Sequence, residues 1–298
     1  MTDEPLHTVP GPLQHLATTP RAWGTYIALG DSFTEGMSDD DAPAAGEFRG
    51  WADRLATMLA ATAPAPGTSP DGTPEPGFRY ANLAVRGRKL DDVAGPQTEA
   101  ALALVEQARR ERPDVPVLVS IVGGGNDILR PRADIDRLAR HLEEGVHRLR
   151  AAGADVLLVT PTDPAGAPLV SATRGRVGQY IAHIFSIAGR HGCYVLNQWD
   201  LHFLKDWRMW GEDRIHMTPE GHRRVALAAH AALGFPEADG GAFREPLDAS
   251  TMPVKTWAEH RDWTRAHLGP WVRRRVTGRS SGDGRTGKLP ELTEWPLG

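Results

Sequence analysis

Short apolar runs alternate with longer amphipathic segments from Trp23 onward. Five runs are apolar enough for strands that are buried on both faces: Thr25–Leu29, Phe78–Val85, Val115–Val122, Ala154–Thr160 and Cys193–Asn197. Four segments between them have the periodicity of helices: Trp51–Ala61, Leu90–Arg110, Ile135–Ala152 and Val177–Arg190. Strands that alternate with helices are typical of parallel sheets with helical crossovers, so the pattern predicts an α/β fold with a central parallel five-stranded sheet.

Local signals refine these helices. In the third, apolar residues recur three or four positions apart on one face: Ile135, Leu138, Leu142, Val146 and Leu149. Pro96 is expected to kink or restart the second, because proline lacks the backbone N–H that continues a helix. A last core helix is predicted after Met217, where Thr218 can cap and Pro219 takes the first helical position.

The composition of the two ends differs from that of the middle. We expect an N-terminal extension over residues 1–22, a main α/β domain over 23–235 and a C-terminal appendage over 236–298. The appendage is predicted to be helical from Thr256 to about Leu268 and to carry a flexible tail rich in Gly, Ser and Arg from Thr277 to Lys288. Its tryptophans are expected to dock it onto the core, and its arginine run is expected to be solvated: Trp257, Trp263, Trp271 and Arg273–Arg275.

Bulk composition narrows the class of protein. The 298 residues are 40% hydrophobic and 24% charged, with a net charge of −4, so the overall charge does not point to nucleic acid or an anionic membrane as the main partner. Cys193 is the one cysteine, which excludes an intrachain disulfide and favours a reducing compartment. No secretory leader and no apolar run of about 20 residues is present, so we expect a cytoplasmic protein without a membrane span.

A candidate nucleophile, Ser32, lies directly after the first predicted strand in the run Gly30–Gly36. Ligands of open α/β sheets bind at the carboxyl ends of strands. A serine hydroxyl needs a neighbouring base, and that base needs a group to orient it. Taken alone, a serine here is more often a helix cap than a nucleophile.

Asp213 and His216 offer the base and its partner, because one turn of chain can present both side chains to one cleft. In this arrangement the imidazole takes the serine proton, and the carboxylate fixes the imidazole tautomer. His202 and His222 stay open as alternative bases. Asp213 and His216 can also be polar residues near the start of a helix without a catalytic role.

Candidate oxyanion donors follow the second and third predicted strands. Gly87 can offer its backbone amide, Asn126 its side-chain amide, and Ser32 its own backbone amide. Asn126 is also a common turn residue for purely local reasons. Gly124 is expected to permit the turn before Asn126, and the two acids beside these motifs are expected to hold their loops through backbone amides: Asp31 and Asp127.

Three other kinds of site fit poorly. The run Val122–Ile128 has isoleucine where a dinucleotide-binding loop needs its last glycine. Thr34 replaces the final glycine of the G-x-S-x-G nucleophile elbow. The segment His141–His147 lacks the spacing of a zinc-binding helix. We therefore expect no metal site and no dinucleotide-binding loop.

The four motifs together resemble the SGNH, or GDSL, hydrolase family, in the order that the family has them. They are Gly30-Asp31-Ser32, Gly87, Gly124-Gly125-Asn126-Asp127, and Asp213 with His216, within a resemblance that covers roughly Thr25 to Leu233. The chain departs from the family pattern at two positions, Phe33 for the usual leucine and Ala84 for a frequent glycine. The resemblance implies a flavodoxin-like three-layer α/β/α sandwich, no cofactor, and hydrolysis of esters, thioesters or acetylated sugars.

The resulting expectation is a serine hydrolase that cleaves carboxylic esters or acyl groups of small molecules through an acyl-enzyme. An acyltransferase with the same triad and a non-catalytic binding protein on the same fold are the alternatives. Trp199–Trp210 either lines a pocket or packs against the sheet, with equal support for the two. That segment and Asp39–Gly46 are the candidates for substrate selectivity.

Overall fold

A six-stranded sheet forms the centre of the computed structural model, which describes residues 16–41, 48–68, 72–167, 170–248 and 282–296. The strands are β1 Thr25–Leu29, β2 Arg79–Asn82, β3 Val117–Ile121, β4 Asp155–Val159, β5 Tyr194–Leu196 and β6 Leu289–Glu294. Their order is β5-β4-β3-β1-β2-β6, and all neighbours are parallel except β6, which runs antiparallel to β2. Each of the five predicted strands contains an observed one.

The helices in the described part of the chain lie largely where periodicity predicts them. They are α1 Ser32–Glu35, α2 Trp51–Ala60, α3 Leu90–Asp92, α4 Thr98–Glu111, α5 Gly125–Ile128, α6 Ile135–Ala151, α7 Arg174–His191 and α8 Pro219–Ala232. Thr218 caps α8, with its hydroxyl accepting a hydrogen bond from Gly221 N at 3.3 Å. No helix in these ranges is both long and apolar enough to cross a bilayer. The helix predicted at Thr256–Leu268, the three C-terminal tryptophans and the arginine run lie outside the described residues.

Pro96 lies inside a π-helical turn, Val93–Gln97, that joins α3 to α4. Proline cannot donate the backbone hydrogen bond of its position, and a widened turn accommodates it. Thr98 Oγ1 donates to Val93 O at 2.9 Å, so a side chain supplies a donor to this turn. The break predicted at Pro96 is therefore confirmed as a local widening of one continuous helical segment.

Two apolar clusters cover the two faces of the sheet. Tyr26 and Ala28 of β1 point to the cluster that α2 and α8 complete, whereas Ile27 and Leu29 point to the one built by α4, α6 and α7. Successive residues of a strand face opposite sides, so a fully apolar strand buries both faces at once. The molecule is thus the expected flavodoxin-like three-layer α/β/α sandwich.

The sheet has a topological switch point at β1. From β1 the chain continues to β2 on one side, and β3, β4 and β5 lie on the other. Helices that leave neighbouring strands on opposite faces open a crevice at the carboxyl ends of those strands. Ser32 follows β1 and Asn126 follows β3, so both lie beside this crevice.

The sixth strand, β6, corrects the prediction of five. It lies at the edge of the sheet beside β2, and Pro290 within it is typical of an edge strand, where one row of backbone groups has no partner strand. Trp295 follows β6 and is 5% exposed; its backbone amide donates to Phe78 O at 3.0 Å, and its indole Nε1 donates to Thr57 Oγ1 at 3.1 Å. The described segment 282–296 is therefore docked on the sheet through β6 and Trp295.

Candidate active site

Ser32 is the first residue of the one-turn helix α1, at the carboxyl end of β1. Asp31 caps this turn, because its Oδ1 accepts a hydrogen bond from Phe33 N at 3.1 Å. Gly36 ends it at φ 93°, and a Cβ there would lie 2.5 Å from Gly50 Cα. Only glycine meets both conditions without strain, so the chain turns sharply and leaves Ser32 8% exposed at the edge of the sheet.

Asp213 and His216 form a tight pair, with 2.6 Å between His216 Nδ1 and Asp213 Oδ2. The other carboxylate oxygen accepts hydrogen bonds from the amides of Ile215, at 2.9 Å, and His216, at 3.0 Å. Burial raises the pKa of Asp213, but the hydrogen bond and charge of His216 and the two amides outweigh it, so this pKa is below its ordinary value. An ionised Asp213 keeps the proton on Nδ1 and leaves Nε2 free to act as a base.

The pair lies beside the Ser32 turn. The ring of Phe33, the residue after the serine, is centred 6.1 Å from the ring of His216 and 6.3 Å from that of Trp210. Gly211 N donates to His216 O at 2.8 Å and closes the loop that carries the pair. Neither Ser32 Oγ nor His216 Nε2 hydrogen-bonds to another group in the described part of the chain, so both atoms are available for a reacting group.

The two other histidines weighed as bases have different surroundings. His222 is fully buried, and both ring nitrogens are bonded: Nδ1 accepts from Trp51 N and Nε2 donates to Met37 O, each at 3.2 Å. Burial lowers its pKa to about 3. His202 is 75% exposed and lies 3.8 Å from Asp200. Among these three, His216 alone combines a close carboxylate with a position beside Ser32.

A tight turn presents Gly87. Arg88 N donates to Val85 O at 3.3 Å, and Gly87 has φ 76°, as the third position of a type II turn requires. In the described part of the chain, the backbone amides of Ser32 and Gly87 donate no hydrogen bond to other protein groups. Two backbone donors, one of them that of Ser32 itself, are therefore available at this site.

Asn126 connects the loops that follow β1, β2 and β3. Its Nδ2 donates to Asp31 Oδ2 and to Arg88 O, each at 3.0 Å. Three short motifs that are far apart in sequence thus meet at one side chain. Both hydrogens of this amide are donated to protein acceptors. An oxyanion that binds Asn126 therefore has to share one of these hydrogens with its acceptor.

The supporting residues Gly124 and Asp127 shape the turn that carries Asn126. Gly124 has φ 92°, and a Cβ there would lie 2.8 Å from the ring of Tyr180. The Tyr180 hydroxyl is buried without a hydrogen-bond partner in the described ranges. Asp127 Oδ2 accepts from Leu90 N at 2.9 Å, and burial raises the pKa of Asp127. The turn is thus fixed by a carboxylate on one side and an aromatic ring on the other.

Asp31 is buried, and its burial raises its pKa to about 6, although the Phe33 amide and the charge of His216 act in the opposite direction. A buried carboxyl beside an imidazole is typical of functional sites. No group of three or more metal-ligating side chains occurs in the described ranges.

Two side-chain contacts of this site were missed at the level of sequence. Gln97 pairs with the backbone of Gly30 in both directions, because Gly30 N donates to its Oε1 at 2.8 Å and its Nε2 donates to Gly30 O at 2.9 Å. Glu35 and Arg86 form a buried ion pair, with Arg86 N donating to Glu35 Oε2 at 2.7 Å. Glu35 and Arg86 have opposite charges and lie next to two of the motifs, so the sequence could have suggested that they pair. No sequence feature indicated that Gln97 contacts this site.

The aromatic segment Trp199–Trp210 divides between the two roles weighed for it. Phe203 and Met209 are buried in the core on the α8 side of the sheet. Trp207 is 37% exposed and lies 5.8 Å from the guanidinium of Arg214, one residue after Asp213. The segment thus places some side chains in the core and leaves Trp207 exposed next to Arg214.

Comparisons with known proteins agree with this fold. A model of the GDSL-like lipase/acylhydrolase family matches residues 28–224. Similar solved structures include an acetylxylan esterase from Geobacillus stearothermophilus, at 19% identity over 74% of this chain and 97% of that chain with a TM-score of 0.52. They also include an alpha/beta hydrolase from the metagenome of Lake Arreo, Spain, at 23% identity over 75% of this chain and 98% of that chain with a TM-score of 0.50. Curated protein sequences give no match. Since the family model spans most of the sheet and all four motifs, the chain belongs to the GDSL-like lipase/acylhydrolase family and is a carboxylic ester hydrolase.

Proposed function

We propose that this enzyme cleaves carboxylic esters of small molecules through an acyl-enzyme on Ser32, with His216 as general base and Asp213 as its orienting carboxylate. The observation that carries the proposal is the 2.6 Å Asp213–His216 pair beside the turn that presents Ser32. Nucleophile, base and orienting group are the three parts that serine catalysis requires.

In the first half-reaction, Ser32 Oγ bonds to the ester carbonyl carbon as its proton moves to His216 Nε2. The tetrahedral intermediate collapses when His216 returns that proton to the departing alcohol oxygen. In the second half-reaction, His216 takes a proton from water, the hydroxyl attacks the acyl carbon, and Ser32 leaves as the proton returns to its oxygen. Asp213 stabilises the imidazolium in both halves.

The carbonyl oxygen becomes negatively charged in each tetrahedral intermediate. We propose that the backbone amides of Ser32 and Gly87 and the side-chain amide of Asn126 bind it. The two backbone amides have no competing partner among the described residues, and Asn126 contributes by redirecting a hydrogen that otherwise goes to Arg88 O. The two backbone donors are already fixed in place, so they stabilise developing charge without reorganisation.

The acetylxylan esterase relative supports the assignment of the base. Two of its solved variants are described as catalytic mutants, one at a histidine and one at an aspartate three positions earlier. Asp213 and His216 have the same spacing. Its description also makes acetylated sugars a reasonable substrate class to test for this chain.

The test compares wild type with Ser32→Ala and with a matched control, Ser186→Ala, which removes an exposed hydroxyl bonded only to Ala182 O. Intact mass after fluorophosphonate treatment and turnover of p-nitrophenyl esters and acetylated xylo-oligosaccharides are measured. We expect one adduct and turnover for wild type and Ser186→Ala, and neither for Ser32→Ala, with kcat lower by about 10⁴-fold or more. Full activity of Ser32→Ala refutes the proposal. Acyl transfer to an added alcohol in preference to water changes the reaction to acyltransfer on the same serine.

A further inference from the structure

Lys288 lies immediately before β6, and its side chain is buried beside the end of the Ser32 turn. Its Nζ lies 2.6 Å from Asp53 Oδ2 and donates to Glu35 O at 3.2 Å. The two charged side chains are 4% and 2% exposed. Asp53 Oδ2 also accepts from Gly50 N at 2.7 Å, so this carboxylate is fixed at the start of α2.

The contact with Glu35 O matters because Glu35 is the last residue of the Ser32 turn. The final carbonyls of a helix have no partner within it and need donors from elsewhere. In α1, Asn82 Nδ2 donates to Thr34 O at 3.0 Å and Lys288 Nζ donates to Glu35 O. Side chains from β2 and from the residue before β6 thus fix the end of the turn that carries Ser32.

The side chain of Glu35 extends the same network to the oxyanion loop. It accepts from Arg86 N at 2.7 Å and from Arg86 Nε at 2.9 Å. Arg86 precedes Gly87, whose amide is a proposed oxyanion donor. Four buried charged residues, Lys288, Asp53, Glu35 and Arg86, therefore connect the C-terminal strand, α2, the Ser32 turn and the Gly87 loop; we call them the charge cluster.

The backbone before β6 also lies directly against the Gly87 loop. A Cβ on Gly282 would lie 2.1 Å from Arg86 O, and one on Gly287 would lie 2.8 Å from Leu83 Cα. Glycines at these positions allow the two backbone segments to approach each other more closely than any other residue permits. The C-terminal segment thus lies against the backbone that leads from the end of β2 to Gly87, the residue that carries the donor.

We propose that Lys288 is a positioning residue of the active site, which fixes the Ser32 turn relative to the Gly87 amide through Glu35 O and the charge cluster. The inference rests on the proposed function of Ser32 and Gly87. Residue 288 lies outside the segment 28–224 that the family model matches, so the active site of this chain is completed by a strand from beyond that segment.

The test uses three full-length variants. Lys288→Met removes the ammonium and keeps an unbranched apolar chain. Asp53→Asn/Lys288→Met also removes the unpaired buried carboxylate, and the amide oxygen of the introduced asparagine can still accept from Gly50 N. Trp295→Phe is the control: it removes the hydrogen bond to Thr57 Oγ1 in the same terminal segment without a contact to the Ser32 turn.

Kinetics are measured on p-nitrophenyl acetate well below the lowest melting temperature of the set. Small displacements of catalytic groups lower turnover strongly, so we expect kcat to fall about 10- to 100-fold in both Lys288 variants, with KM changed less than threefold. The double variant should recover most of the melting temperature that Lys288→Met loses, but not its kcat. Trp295→Phe should keep kcat within twofold of wild type.

Amide hydrogen exchange provides a readout without turnover. Gly36 N and Met37 N both donate to Ser32 O at 3.1 Å, so looser turn geometry should speed their exchange in the two Lys288 variants and not in Trp295→Phe. Wild-type kcat together with wild-type exchange in the folded double variant overturns the inference. If wild type itself turns over no ester, the proposed function fails, and the exchange comparison still decides whether Lys288 positions the turn. If Lys288→Met does not fold, the double variant carries the same comparison.

Discussion

Replacing His222 by glutamine changes how protein stability depends on pH. His222 is fully buried, and its two ring nitrogens bridge Trp51 N and Met37 O. Burial lowers its pKa to about 3, and the positive charges of Arg54, His216 and Lys288 act in the same direction. Glutamine offers one acceptor and one donor in a similar volume, so it can bridge the same groups without titrating.

The sign follows from which state binds the proton. Between pH 6.5 and pH 3 the unfolded chain protonates this imidazole and the folded chain does not, so His222 contributes stability that is complete above about pH 6.5 and lost as the pH falls towards 3. At pH 4.5, two pH units below the unfolded pKa, the loss relative to pH 7.5 is about 3 kcal/mol. Asp31 opposes it: its pKa is raised to about 6, so it contributes about 2 kcal/mol at pH 4.5 that disappears as the pH rises above 6.

These two effects offset each other in part in wild type, and a comparison of variants separates them because Asp31 is common to both proteins. The free energy of unfolding is measured by urea titration at pH 7.5 and pH 4.5 for wild type and His222→Gln. When the pH falls from 7.5 to 4.5, the free energy of unfolding of the variant should rise by about 3 kcal/mol relative to that of wild type. The control is His202→Gln, which replaces a side chain that is 75% exposed and should alter stability by less than about 0.5 kcal/mol. A wild-type-to-variant difference that is the same at both pH values refutes the reasoning.

Three further substitutions test other parts of the site. Asp213→Asn should lower kcat by about 10⁴-fold, because the neutral amide no longer fixes the His216 tautomer. Steady-state kinetics measure this loss, and a loss below tenfold contradicts the role of Asp213 as the orienting carboxylate. Tyr180→Phe removes a buried hydroxyl without a partner among the described residues, so the free energy of unfolding should rise by about 1 kcal/mol in urea titration, and a fall would show that the hydroxyl is bonded. Arg86→Met leaves Glu35 buried and unpaired and should lower the free energy of unfolding by about 3–5 kcal/mol, whereas adding Glu35→Gln should recover part of the loss. Equal stability of the single and double variants would contradict this pairing.

The central strands could be predicted because their signal is local. Parallel strands covered on both faces are continuous apolar runs, so Thr25–Leu29 and Asp155–Val159 stand out from the amphipathic helices between them. The edge strand Leu289–Glu294 has no such signal, since one side is exposed and Pro290 is unusual in a strand. Its place in the sheet depends on pairing with β2, which lies far earlier in the chain, and no local pattern specifies that partner.

The same division explains the active site. The Asp213–His216 pair and the Asp31 cap join residues three and two positions apart, so spacing alone could suggest them. The contacts that connect the strand-end loops join distant positions: Asn126 with Asp31 over 95 residues, and Lys288 with Asp53 over 235. A short motif thus identifies which residue is a candidate catalytic group. The position of that residue depends on buried polar pairs between segments that meet only when the sheet is formed. A buried polar group is stable only when its partner is in place, so these long-range contacts couple the geometry of the catalytic groups to completion of the whole sheet, including its last strand.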